Sequence, residues 1–315
     1  MSLPSSMFPY IEFIPNRLYF QVVDQGSAEL EENRKASASS LSSSSSEKPQ
    51  FICCDNSLIF SSFFADFGPF DLGKTVVFCR QLDDLLKKLN SSPLVFYCSS
   101  HQHRRANAAV LICAFMILQR GATVEQAYGP FIGIDPPFSA FRDAAFAINT
   151  FPITVLDCCR AMFKAVELQH FQISSFNAKA FADMAKLQYG DLSWIIPNKF
   201  LAFSGPLAKK RLLAEGNAYS LAPAEYVPIL KSLGVTVIVR FNSKCYDKSV
   251  FTTAGIRHVD LLYDDGANPP ENILQAFLQV CEKERGAIAV HCKAGYSQII
   301  RTFFNYQIIE YSLTI

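Results

Sequence analysis

His291-Cys292-Lys293-Ala294-Gly295 directly follows a short apolar run, Gly286 to Val290, and is the segment best placed to carry chemistry. A cysteine where a buried strand passes into a loop that opens a helix faces loop amides and a helix N-terminus. Both stabilise negative charge and favour the thiolate. The same amides, those of Lys293, Ala294 and Gly295, would cradle a phosphoryl group. Cys292 can equally be read as a small buried hydrophobe. His291 either tunes the thiolate or is simply packed.

Phosphoryl transfer to sulfur also needs a fixed cation on the phosphate oxygens. An arginine six residues after the cysteine would supply a bidentate fork. That position holds Gln298, which is neutral, and Tyr296 and Ser297 stand where a tight cradle favours glycine. Arg301 lies three residues too late, so it can serve only through a remodelled loop. A protonated carboxyl must also reach the leaving oxygen. Asp265, in Tyr263-Asp264-Asp265-Gly266, could do this, although Asp-Asp-Gly also reads as a surface turn. Cys98 and Arg104 have the same cysteine-x5-arginine spacing, across Ser-Ser-His-Gln-His. That loop has no glycine, and Tyr97 stands where His291 stands downstream. Cys98 is therefore read as a structural thiol.

The elements that must position these groups follow from periodicity. Tyr10 to Val23 predicts a strand pair with Pro15-Asn16 as its turn, and Phe51 to Phe60 contains a strand. Leu82 to Leu89 has helical spacing, Leu94 to Cys98 is a buried strand, Ala106 to Gln119 a buried helix, and Thr123 to Tyr128 starts another. A second cycle predicts a strand at Lys199 to Ser204 and a helix at Pro223 to Ser232. Strands at Val235 to Phe241 and His258 to Tyr263 follow, then a helix at Asn272 to Arg285 and a strand at Gly286 to Val290. Strands alternating with helices imply an α/β fold with largely parallel central sheets. Leu94 to Cys98 and Ile288 to Cys292 each lead into a polar loop and a helix, so the halves read as degenerate repeats of one unit. The expected organisation is a first domain over 8–150, a helical linker over 151–190 and a second domain over 191–315. The second is expected to be incomplete at its C-terminal end. Within the first, 25–50 is rich in serine and charge and reads as a disordered insertion.

Composition narrows the function. Half of the 315 residues are hydrophobic, enough to bury two cores, and the formal net charge is +1. That balance gives no electrostatic case for nucleic acid or an anionic membrane as partner. The apolar run Ala108 to Leu118 falls short of the ~20 residues a membrane helix needs. None of the ten cysteines forms a CxxC, which suits buried thiols in a reducing compartment better than a disulfide scaffold. No histidine spacing suggests a metal site, and neither a Walker loop nor a dinucleotide fingerprint is present.

FFADFGPFDL (63–72), RRANAAVLI (104–112), PPFSAFRDAAF (136–146), WIIPNKFLAFSGP (194–206) and GAIAVHCKAG (286–295) stand in this order. Through them the chain resembles the cell-division-cycle-fourteen, or mitotic-exit, dual-specificity protein phosphatases. The resemblance implies two tandem phosphatase-like domains, the first non-catalytic, with Cys292 as nucleophile, Asp265 as general acid and the amides of Lys293 to Gly295 as cradle. It implies phosphoprotein substrates, at phosphoserine followed by proline and at phosphotyrosine, and no cofactor. It also implies a cell-cycle role in nucleus and cytoplasm, with nucleolus, centrosome and spindle as further family sites. The family's Leu-Gly-Arg-Thr-Gly after HCKAG is replaced here by Tyr-Ser-Gln-Ile-Ile-Arg-Thr. Two acidic positions of the family's substrate groove are Ala182 and Ala185, whereas Asp191 matches.

Three readings remain open at this point. The first is a working phosphatase whose product continues differently after Gly295, residues 296–315 being mistranslated or mis-spliced. The second is a non-catalytic phosphatase-like binding or scaffold protein. The third is an enzyme that uses Arg301.

Overall fold

Asn16, in the left-handed region at φ 57°, reverses the chain between strands β1 (Ile11–Ile14) and β2 (Leu18–Val23). A computed structural model describes residues 9–24, 49–60, 62, 66–90, 92–142, 152–210, 212, 220–264 and 269–292. By Cα proximity the chain divides into two compact units, Met1–Ala178 and Lys179–Ile315. The expected disordered insertion lies outside the described residues up to position 48. Its last residue, Gln50, already belongs to strand β3 (Gln50–Cys53).

The first unit is built on a four-stranded sheet of order β1-β2-β4-β3, with β4 at Leu94–Ser99. Only the β1–β2 pair is antiparallel; β2 and β3 both run parallel to β4. All six residues of β4 are buried, as befits a central parallel strand. Helix α1 (Leu72–Lys88) starts ten residues before the periodic stretch at Leu82. Gly73 and the β-branched run Thr75-Val76-Val77 disguise its first turns. The Asp71 side chain caps them by accepting from the Lys74 amide at 2.9 Å. Helix α2 (Gln102–Arg120) has twelve buried residues and ends at Gly121, left-handed at φ 65°. Thr123 and Gln126 form a capping box on α3 (Val124–Tyr128).

The helical pattern after residue 151 gives α4 (Val155–Glu167) and the short α5 (Ala178–Met184), with irregular chain between them. Val155 and Cys159 of α4 are buried in the same core as α2, and Arg80 donates to the carbonyls of Ile173 and Phe176 at 2.6 and 2.7 Å. This stretch is thus integrated into the first unit up to at least Phe176.

The second unit repeats the design as β5-β6-β9-β7-β8, with β5 at Leu192–Ile196, β6 at Phe200–Phe203, β7 at Val235–Arg240, β8 at Arg257–Asp260 and β9 at Ala287–His291. Again only the first pair, β5–β6, is antiparallel. β5 went unpredicted because its five residues carry no clean alternation. β8 stops at Asp260, three residues before the apolar pattern ends. Even so, the amides of Leu261 and Tyr263 still donate to the carbonyls of Arg240 and Phe241. Helix α6 (Pro223–Ser232) opens at a proline, α7 spans Ser249–Thr253 and α8 spans Glu271–Lys283.

Strand alternation sorts this core into two layers. Ile288, Val290 and Cys292 share one cluster with Phe200, Val237, Val239 and Phe277. Ala287 and Ala289 share the other with Phe203, Tyr226, Ile238 and Phe251. His291, next in that register, packs its ring edge-to-face on Phe203 at 4.9 Å. His291 and Cys292 therefore sit on opposite faces of the sheet.

Candidate active site

Cys292 lies one residue beyond the central parallel strand of the second unit, at the carboxyl edge where open α/β sheets place their ligands, and is 1% exposed. The neighbouring strand delivers Gly205 to it. A Cβ on Gly205 would come within 2.5 Å of the Cys292 carbonyl oxygen and 2.9 Å of His291 Nδ1, so this close approach tolerates no side chain. Ser204, just before it, donates its hydroxyl to Asp191 at 2.5 Å. Asp191 thus already has a partner at this edge.

Behind the cysteine runs a buried polar chain whose proton positions follow from its partners. His291 Nδ1 stands 3.2 Å from the Cys292 carbonyl oxygen, which can only accept, so Nδ1 carries the hydrogen. His291 Nε2 is then an acceptor, and the Tyr246 hydroxyl donates to it at 2.6 Å. The same hydroxyl oxygen accepts from His258 Nε2 at 2.8 Å. His258 Nδ1 has no hydrogen-bond partner among the described residues and lies 3.6 Å from Asp260 Oδ1. Burial pushes His291 down to about 3 and His258 down to about 4, so both imidazoles are neutral at pH 7. His291 thus acts on this edge as a neutral hydrogen-bonding group and supplies no positive charge.

Arg240, 1% exposed, anchors the far end. Its Nε and an NH2 nitrogen reach Asp260 Oδ1 at 2.8 and 2.7 Å, and NH1 donates to the Tyr246 carbonyl at 3.2 Å. Its guanidinium also lies 4.7 Å from the Tyr246 ring centre. Burial works against ionising Asp260. Lys248 and Arg240 outweigh it and hold the carboxyl below the usual aspartate range. None of Arg240, Tyr246, His258, Asp260 and Gly205 was singled out from the sequence. The available signal was an arginine closing an otherwise apolar β-branched strand, where an unpaired charge could not remain.

The remaining predicted residues divide by position. Asp265 lies outside the described residues, as do Lys293, Ala294, Gly295, Gln298 and Arg301. The chain leading to Asp265 is described. The Tyr263 amide donates to the Phe241 carbonyl and the Phe241 amide to the His291 carbonyl, so this segment leaves the sheet at the edge that carries Cys292. Asp264 there is exposed. Cys98, on β4, is completely buried, and burial followed by the nearby Asp55 raises its thiol far above the ordinary cysteine range. All ten cysteines are free thiols. Among the described residues no cluster of three or more His, Cys, Asp or Glu could hold a metal ion, and no helix is long and apolar enough to cross a membrane.

The second unit repeats the strand order of the first and adds β8 at its edge, with a histidine–cysteine pair at the end of its central strand, and by sequence the chain falls in the protein-phosphatase class. A family model described as "Dual specificity protein phosphatase, N-terminal half" matches residues 12–165. The chain is 39% identical over 288 residues to dual specificity protein phosphatase CDC14A of Mus musculus, covering 90% of this chain and 45% of that protein. It is 38% identical over 272 residues to CDC14B of Mus musculus, covering 86% and 56%. To tyrosine-protein phosphatase cdc-14 of Caenorhabditis elegans it is 32% identical over 312 residues, covering 96% and 42%. The chain belongs to the CDC14 family of dual-specificity protein phosphatases. It spans about half the length of these curated relatives.

Proposed function

We propose that the second unit carries a protein-phosphatase site that works through a cysteinyl-phosphate intermediate, and that Gln298 leaves this chain with little or no turnover. The observation that carries the first half is Cys292 at the carboxyl edge of the central strand, backed by a neutral, tautomer-fixed His291. In the forward step the Cys292 sulfur attacks phosphorus. The S–P bond forms, the P–O bond to the substrate side chain breaks, and Asp265 gives that oxygen a proton. Asp265 then takes a proton from a water that attacks phosphorus, releasing inorganic phosphate and the thiolate. The amides of Lys293, Ala294 and Gly295 hold the phosphoryl oxygens. The substrates are phosphoproteins, at phosphotyrosine and at phosphoserine or phosphothreonine followed by proline.

The second half rests on charge. Gln298 cannot stabilise the transferring phosphoryl group as an arginine does, and losing one such electrostatic donor costs about 10²–10³ in rate in other enzymes. The same residue favours the other reading, a non-catalytic phosphatase-like binding protein. Turnover of an aryl phosphate and a phosphoserine-proline peptide by the wild-type chain and by the double variant Ser297→Gly, Gln298→Arg separates them. The double variant should gain about 10²-fold or more, and Cys292→Ser within it should abolish turnover. A double variant that binds phosphopeptide yet stays inactive would favour the binding protein. Wild-type turnover of ~1 s⁻¹ or faster would refute the role given to Gln298.

A further inference from the structure

We propose that the loop after β4 in the first unit is an oxyanion cradle whose resident ligand is the protein's own Asp55 carboxylate. Asp55 follows β3 by two residues, and its side chain is only 3% exposed. Its Oδ2 accepts from the Ser99 amide at 2.9 Å and lies 3.4 Å from Arg104 NH1. The first amide after Cys98 and the arginine six residues after Cys98 thus converge on one carboxylate oxygen. Those are the donors that a strand-to-helix loop would present to a phosphate or sulfate.

A further donor beside these two marks the site as built for an anion. Ser99 Oγ is buried beside the amide that Asp55 uses and has no hydrogen-bond partner among the described residues. Asn107 lines a cleft of about 630 Å³ together with Asp55, His101, His103 and Arg104. The buried Asp55 carboxylate already takes both the Ser99 amide and Arg104, so it holds these donors against any second anion. Phosphate could enter only by displacing a like charge.

The internal repeat supplies an independent comparison. Cys53 of β3 pairs with Tyr97, and Arg240 of β7 pairs with His291; Tyr97 and His291 each directly precede their cysteine. Two residues further along, Asp55 of the first unit therefore corresponds to Asn242 of the second. The carboxylate stands in the unit whose cysteine is inert and is replaced by a neutral amide where the cysteine is the proposed nucleophile.

The test is titration of the full chain with inorganic phosphate, and separately with sulfate, followed by isothermal calorimetry and by thermal shift. Binding at the second unit is common to all variants and is subtracted. Asp55→Ala should gain one additional site for both anions. Adding Arg104→Ala should weaken that site by roughly tenfold or more, as expected for loss of a charge-assisted hydrogen bond. A folded Asp55→Ala with no added site would overturn the proposal. If Asp55→Ala does not fold, the wild-type chain and Arg104→Ala decide. Equal phosphate binding by the two supports a self-filled cradle, and an Arg104-dependent phosphate site in the wild-type chain overturns it.

Discussion

Replacing Tyr246 by phenylalanine tests the proton chain behind Cys292 with the least disturbance. The ring remains, edge-to-face on Phe251 at 5.6 Å and under Arg240, and the substitution removes only one oxygen. Two hydrogen bonds go with it, at 2.6 Å to His291 and 2.8 Å to His258. The two histidines should respond differently. His291 cannot change tautomer, because its Nδ1 hydrogen is held by the Cys292 carbonyl, so its Nε2 becomes a buried acceptor without a donor. His258 has a second choice. Moving its hydrogen from Nε2 to Nδ1 aims it at Asp260 Oδ1, now 3.6 Å away. The net loss is therefore about one unsatisfied buried group, or about 1–3 kcal/mol from the second unit. The single tryptophan, Trp194, lies on β5 of that unit, so its fluorescence in a urea titration reads this stability. Imidazole ¹⁵N spectra read the tautomers. A loss below ~0.5 kcal/mol, or a His258 that keeps its Nε2 hydrogen in Tyr246→Phe, would refute the assigned chain.

Further outcomes follow from the same contacts. Gly205→Ala should cost the second unit about 1–3 kcal/mol, because the new methyl meets the backbone oxygen of Cys292 at 2.5 Å; unchanged Trp194 unfolding would contradict this. The folded pKa values of His291 and His258, about 3 and about 4, lie below the unfolded value of 6.5, so the unfolded chain binds more protons between those limits. Stability of the second unit should therefore be complete above about pH 6.5. It should fall toward pH 4 at up to ~1.4 kcal/mol per pH unit for each histidine, and a flat profile from pH 7 to 5 would count against the assignment. Asn242→Asp should place a carboxylate where Asp55 stands in the other unit and weaken phosphate binding at the Cys292 loop, read by calorimetry against the wild-type chain. Cys98→Ser should destabilise the first unit by putting a hydroxyl into a fully buried site, and should leave turnover of the Ser297→Gly, Gln298→Arg protein unchanged.

The parts of the fold legible in the sequence were those with strong period. The helix Pro223–Ser232 fell on its predicted limits, and the buried strands leading to Cys98 and Cys292 were visible as short apolar runs between loop signals. The first turns of α1 were not, because the cap at Asp71 and burial against the sheet override a glycine and three β-branched residues. At the site, local sequence could mark a cysteine at a strand end. It could not show that Arg240, Tyr246 and His258 converge, since they come from two strands and a loop and meet only through sheet register. Asp55 was hidden for the same reason: its partners Ser99 and Arg104 lie more than forty positions away and are brought to it by the β3–β4 pairing.

What separates the two central cysteines is the charge placed beside them rather than the backbone that carries them. Cys98 lies near the end of a buried central strand and Cys292 one residue beyond another, and both strands are flanked by parallel neighbours. Next to Cys98 the first unit places an ionisable carboxylate, which raises the thiol further and occupies the donors a substrate would need. Next to Cys292 the second unit keeps its buried charges paired at a distance. Arg240 and Asp260 neutralise each other, and two neutral histidines with a tyrosine between them carry only hydrogen-bond direction toward the cysteine. Among the described residues the buried charges behind Cys292 are paired, so none of them repels an entering phosphoryl dianion, which still needs fixed positive charge and hydrogen-bond donors to offset its desolvation. On this argument the deficit at Gln298 is the absence of an attracting charge and not the presence of a repelling one. Restoring the arginine and its glycine neighbour should therefore be enough to recover chemistry at Cys292, whereas His103→Gly, which gives the first unit the same pair because Arg104 already stands six residues after Cys98, should recover none while Asp55 remains.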